Sequence, residues 1–260
     1  MGALSAYGVD LAGYSSKGKS QVAKVTRLVD NNGCYLTASF ISTSLLRKHQ
    51  GNEDLNSVIK ADVQVFSDLL KDNGICAVDV PIDLQGLNEY SGNKNYVWEA
   101  TKRSIDHELG ALPPIADRIG AVVARMRLIM NYYPDSLGKA IFETYPAGSL
   151  ALMKENQQYK EGKAIWDGSL WKPSADGKEK ANEGLANVLN SLNFVCVLEG
   201  IVLTDDQFDA ILSAIPLLSQ PWLTGSLLLN HPYLKKRGLK DVPTGYILCE
   251  RRFWTKIEIQ

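Results

Sequence analysis

Short apolar runs alternate along the chain with longer amphipathic stretches. Residues 7–12 form a compact apolar run stopped by Gly13 and read as a short buried strand. Residues 34–41 alternate apolar and polar positions and read as a second strand, preceded by the turn signal Asn31-Asn32-Gly33. Residues 22–29 fit two patterns. Val22, Val25 and Val29 make a helical stripe, while the β-branched content suits a strand that would pair with 34–41 as a hairpin. Residues 54–70 carry Val58, Ala61, Val65 and Leu69 on one helical face, closed by Asn73-Gly74. The continuous apolar run 75–80 suits a parallel strand covered on both faces. Helices are predicted over 94–109, over 115–130 behind Pro113-Pro114, over 178–192 and over 205–218. Strands are predicted over 139–145, 194–198 and 244–249. This interleaving predicts one α/β domain over 1–260 with a mixed sheet, helical insertions around 90–135 and a polar loop near 160–180.

Composition narrows the classes. The chain has 260 residues, 45% hydrophobic and 22% charged, which excludes a disordered chain, a collagen-like repeat and a coiled coil. A net charge of −1 excludes a chain-wide polycation. The charge is uneven, however. Residues 235–260 carry seven basic residues against three acidic, a local net of +4 that leaves −5 on the rest. A basic patch beside an acidic pocket is compatible with a nucleic-acid partner. Cys34, Cys76, Cys196 and Cys249 form no C-x-x-C pair and read as reduced thiols of a cytoplasmic protein. No apolar run approaches the roughly 18 residues of a membrane span, and no secretory leader is expected. Oligomeric state is not legible.

The acids have a positional pattern. Asp10 lies in the first strand, Asp79 at the end of another and Glu143 in a third; Asp206 and Asp209 are neighbours on the surface of the helix over 205–218. Acids are depleted in strands, and a lone one is more often a cap or an ion pair. Together, carboxylates at adjacent strand ends would repel one another unless a counter-ion such as Mg²⁺ or Mn²⁺ joined them. Two such ions about 4 Å apart hydrolyse phosphodiesters. Arg103 and Asp106 read either as a weak helix-surface pair or as a site in which Arg103 binds phosphate. Arg118, Arg125 and Arg127 read as a solvated face more readily than as a phosphate track. The three histidines have no metal-ligand spacing, and the tryptophans suit core roles better than base stacking.

A second motif competes. Gly13-Tyr14-Ser15-Ser16-Lys17-Gly18-Lys19-Ser20 fits the phosphate-binding pattern G-x-x-x-x-G-K-[ST]. It offers Lys19 to a nucleotide's phosphates and Ser20 to Mg²⁺, with Asp79 in support, as in an ATPase or kinase. It requires a helix starting at Lys19, where the pattern is ambiguous.

Six motifs in order, Gly8-Val9-Asp10-Leu11-Ala12-Gly13, Ala77-Val78-Asp79-Val80-Pro81-Ile82, Arg103-x-x-Asp106, Glu143-Thr144-Tyr145-Pro146-Ala147, Asp205-Asp206-x-x-Asp209-Ala210 and Gly245-Tyr246-Ile247, resemble those of domain-of-unknown-function family 429. That family is predicted to be nuclease-like with a ribonuclease H-like fold. The resemblance implies a mixed five-stranded sheet whose first three strands are antiparallel. It makes Asp10, Asp79, Glu143 and Asp209 the catalytic and metal-binding acids, with Asp206 supplementary, and Gly13 to Ser20 only a hairpin loop; the residues offered to substrate are Arg103 and, on the nucleotide-loop reading, Lys19. DNA or RNA would be the substrate of such a metal-dependent nuclease. A catalytically inactive module of the same fold, binding a partner, is the remaining alternative.

Overall fold

The computed structural model describes residues 4–14, 20–30, 33–43, 53–85, 87, 101–153, 159–160, 163–164, 195–198, 203–218, 242–248 and 256–259. The predicted helix over 178–192, most of the polar loop and most of the basic C-terminal segment lie outside these residues, as does Lys19.

The chain begins with three strands, β1 (Leu4–Asp10), β2 (Gln21–Asp30) and β3 (Gly33–Phe40). The ambiguous segment is therefore a strand. Val22 and Val25 pack into the cores on opposite faces of the sheet, and β2 pairs antiparallel with β1 from Leu4↔Arg27 to Asp10↔Gln21. It also pairs antiparallel with β3 down to Asp30↔Gly33, across the predicted turn. Helix α1 (Leu55–Leu69) follows, capped by Asp54, whose carboxylate accepts from Ser57 N at 2.9 Å. Next come β4 (Cys76–Val78), α2 (Ser104–Leu109), α3 (Asp117–Met130), β5 (Ile141–Thr144) and α4 (Pro146–Met153). The small hairpin β6 (Tyr159–Lys160) and β7 (Lys163–Ala164) precedes β8 (Val195–Leu198), α5 (Asp205–Leu218), β9 (Tyr246–Ile247) and β10 (Lys256–Ile259). Helix α4 is not foreseen by the sequence pattern: Pro146, which follows the strand predicted over 139–145, occupies the first helical position. β10 is likewise unforeseen.

The described sheet is mixed and has eight strands in the order β8-β10-β3-β2-β1-β4-β5-β9. β4 is parallel to β1, β5 to β4 and β9 to β5. The described sheet is wider than the five strands that the resemblance implies: β8, predicted over 194–198, and β10 extend one edge, and β9, predicted over 244–249, extends the other.

Two cores flank the sheet. On one face α5 buries Phe208, Ile211, Leu212, Ile215 and Leu218 against Ala6 of β1, Val25 of β2, Ala77 of β4 and Phe142 of β5. On the other, α1 and α3 bury Val65, Phe66, Leu69, Met126 and Ile129 against Val9, Val78 and Ile141. Each such side chain removed from water contributes about 1.5–3 kcal/mol. Helix α5 lies closest. A Cβ added to Gly8 would stand 1.8 Å from the carbonyl oxygen of Ala210, so no larger residue fits at Gly8 unless the helix moves. Among the described residues no helix is long and apolar enough to cross a membrane.

Candidate functional site

Strand alternation decides which acids meet. In β1, Ala6 and Gly8 face α5 whereas Val9 packs in the opposite core, so Asp10 falls on the α5 face. In β4, Ala77 faces α5, and Val78 and Val80 face away, which puts Asp79 on the α5 face as well. The two strands are parallel, and Asp79 N donates to Val9 O at 2.9 Å. Asp10 and Asp79 thus stand side by side at the C-terminal edge of the sheet.

Helix α5 runs back along β1. Arg27, opposite Leu4 at the start of β1, donates from Nη1 to Leu218 O at the end of α5 (3.4 Å). The helix N-terminus, with Asp206 and Asp209, accordingly lies toward the Asp10 edge. Its cap is the reciprocal pair Thr204 and Gln207: Gln207 N donates to Thr204 Oγ1 (3.2 Å) and Thr204 N to Gln207 Oε1 (3.0 Å). Tyr145, just past β5, joins this edge. Burial raises its phenol above the ordinary tyrosine value, and the neighbouring charges of Asp79, Asp209 and Asp106 raise it further. It therefore stays protonated and able to donate. Nothing in the sequence around Glu143-Thr144-Tyr145-Pro146-Ala147 marks Tyr145 as a neighbour of Asp79 and Asp209.

Glu143 does not join this group. It pairs in register with Val78, and its neighbour Phe142 faces α5, so Glu143 points to the opposite face. It is 1% exposed and its oxygens are engaged. Oε1 meets Arg103 Nη2 at 2.6 Å, and Oε2 accepts from Ile82 N (2.8 Å) and Asp83 N (3.2 Å). Its expected role as a metal ligand is corrected to that of a buried anchor for the chain after Asp79.

Arg103 is corrected in the same way. It is neither a surface pair nor a phosphate ligand but 1% exposed. Nε and Nη2 fork onto Asp106 at 2.9 and 2.8 Å, and Nη1 donates to Asp83 O at 2.6 Å. The Arg-x-x-Asp spacing is a cap: Arg103 N also donates to Asp106 Oδ2 at 2.8 Å. Arg125, expected on a solvated face, is equally buried. Nε and Nη2 fork onto Asp62 of α1 at 2.8 and 2.6 Å, and Nη1 reaches Ala12 O at 2.8 Å and Ser20 Oγ at 3.3 Å. Tyr14 Oη donates to Asp62 Oδ2 at 3.1 Å, and its ring lies 4.9 Å from the Arg125 guanidinium carbon. Arg127 is exposed; the side chain of Arg118 lies outside the described residues.

The nucleotide-loop alternative needs a helix at Lys19, and β2 starts at Gln21 instead. Ser20, offered there to Mg²⁺, is buried and accepts from Ala12 N at 2.9 Å. Among the described residues no three His, Cys, Asp or Glu side chains are spaced to hold a metal ion. Comparison with family models, curated proteins and solved structures finds no match.

Proposed function

We propose that this chain is a metal-dependent nuclease of ribonuclease H-like fold, with Asp10, Asp79 and Asp209 as its essential acids and Asp206 in support. The observation that carries the reading is the convergence of Asp10, Asp79 and the N-terminal end of α5 at one edge and on one face of the sheet. The central order β3-β2-β1-β4-β5, antiparallel and then parallel, supports the fold, and the resemblance to family 429 points the same way. In chemistry the donor set suits Mg²⁺ or Mn²⁺, which take carboxylate oxygens. When bound, such an ion supplies the positive charge that phosphodiester hydrolysis needs. The chain's own contribution is to gather the aspartates at the mouth of the sheet and to keep a protonated Tyr145 beside them as a donor. Nucleic acid is the substrate class.

The absence of a three-ligand group among the described residues favours a second reading, a module of the same fold that binds a partner without hydrolysis. Mn²⁺ titration with a cleavage assay on labelled single- and double-stranded DNA and RNA separates the two. A nuclease binds Mn²⁺ and cleaves, and Asp10→Asn abolishes cleavage while leaving the cooperative melt intact. Full cleavage by Asp10→Asn sinks the assignment, and a parent chain that neither binds Mn²⁺ nor cleaves leaves the inactive module.

A further inference from the structure

The two buried arginines are placed alike with respect to the two strand ends. Arg125 is forked by Asp62 and donates its remaining nitrogen to Ala12 O, two residues after Asp10. Arg103 is forked by Asp106 and donates to Asp83 O, four residues after Asp79. Each turn has a second lock on its main-chain N–H groups. Ser20 Oγ takes Ala12 N at 2.9 Å, and Glu143 Oε2 takes Ile82 N and Asp83 N at 2.8 and 3.2 Å. Both arginines are 1% exposed, so neither meets a ligand directly.

Burying an ion pair is a poor route to stability, because desolvation consumes most of the attraction. A planar guanidinium does something an apolar side chain does not: it fixes a carboxylate and a carbonyl in one plane. We propose that Arg125 and Arg103 are a matched pair of positioning residues, each clasping the turn through which one acid-bearing strand leaves the sheet, so that Arg125 with Ser20 sets the stance of Asp10 and Arg103 with Glu143 sets that of Asp79. The proposal rests on the assignment of Asp10 and Asp79 to the site. It gives Glu143 a function in the site without a place among its ligands. It also gives Ser20, the last residue of the Gly13-to-Ser20 pattern, a role: its hydroxyl ties the end of the β1–β2 connection back to Ala12 N.

The test uses the full chain and charge-conserving variants, Arg125→Lys, Arg103→Lys and Glu143→Asp, together with Ser20→Ala. The readouts are the carboxyl ¹³Cγ shifts of Asp10 and Asp79 at one fixed pH and the affinity for Mn²⁺. A lysine keeps the charge but cannot hold fork and carbonyl together. Arg125→Lys and Ser20→Ala should move the Asp10 resonance and leave that of Asp79, while Arg103→Lys and Glu143→Asp do the reverse. Each should weaken Mn²⁺ binding about 10-fold, the usual effect of losing a partner behind a metal ligand. A merely structural role would lower the melting temperature and move neither resonance selectively. If a lysine variant does not fold, Ser20→Ala and Glu143→Asp carry the two halves. Folded variants with both resonances unmoved overturn the proposal. A parent chain that binds no Mn²⁺ sinks the nuclease reading alone, and the resonances still decide the clasps.

Discussion

Arg125 and Arg103 differ in how much negative charge each must serve. Arg125 faces one carboxylate, Asp62, and a neutral phenol, so its cluster balances. Arg103 faces two, Asp106 and Glu143, in a space closed to water, so its cluster carries a net negative charge. Burial works against the Arg103 charge, but Glu143 and Asp106 outweigh it and hold the guanidinium protonated well above the ordinary arginine value. Burial pushes the Glu143 carboxyl up, and Arg103 pulls it only part of the way back. The two strand exits are thus secured by the same chemistry at different charge balance. The exit after Asp79 contains a carboxyl that burial holds above its ordinary value.

The largest effect should come from removing the cations. Arg103→Ala leaves two buried carboxylates with no counter-ion and should cost about 5 kcal/mol in urea unfolding, against about 3 kcal/mol for Arg125→Ala, which strands one. Equal losses would erase the distinction. Next is the pH response. Because the native state holds the Glu143 proton to higher pH than the unfolded chain does, its contribution is full below the ordinary glutamate value. It is lost as pH rises through the raised native value, at no more than about 1.4 kcal/mol per pH unit. Glu143→Gln should flatten that part of the stability profile, and an unchanged profile would show that another group titrates there. The smallest effect is at the balanced cluster. Tyr14→Phe removes the bond to Asp62 and keeps the ring over Arg125, and should cost about 1 kcal/mol in the same assay.

Element positions were legible wherever a period ran uninterrupted. The α5 stripe is read from Asp205 to Leu218 because its apolar spacing is regular and long. The β2 segment stayed open because a run of valines satisfies both periods, and only its pairing to β1 and β3 resolves it. Among the proposed site residues, Asp10 and Asp79 stand out in the sequence as acids on apolar strands, and Asp209 by its spacing from Asp206. Glu143 looked the same in sequence. What separates it is one step of alternation, which turns it to the opposite face, and a guanidinium brought from α2 by tertiary packing. The burial of Arg103 and Arg125 could not be read at all, since a local charge pattern does not show what covers it. Tyr145 was hidden for the same reason.

The close seat of α5 on Gly8 also bears on the order in which the molecule is completed. β1, β2 and β3 pair with their neighbours in the chain, whereas the contact of Arg27 with Leu218 spans 191 positions. A chain emerging from the ribosome can form its first hairpins early, yet it leaves the apolar face of β1 exposed until α5 arrives. Such long-range closure is slow relative to hairpin formation. For this protein the arrival of α5 buries one face of the sheet and brings the helix end that carries Asp209 toward the edge that carries Asp10.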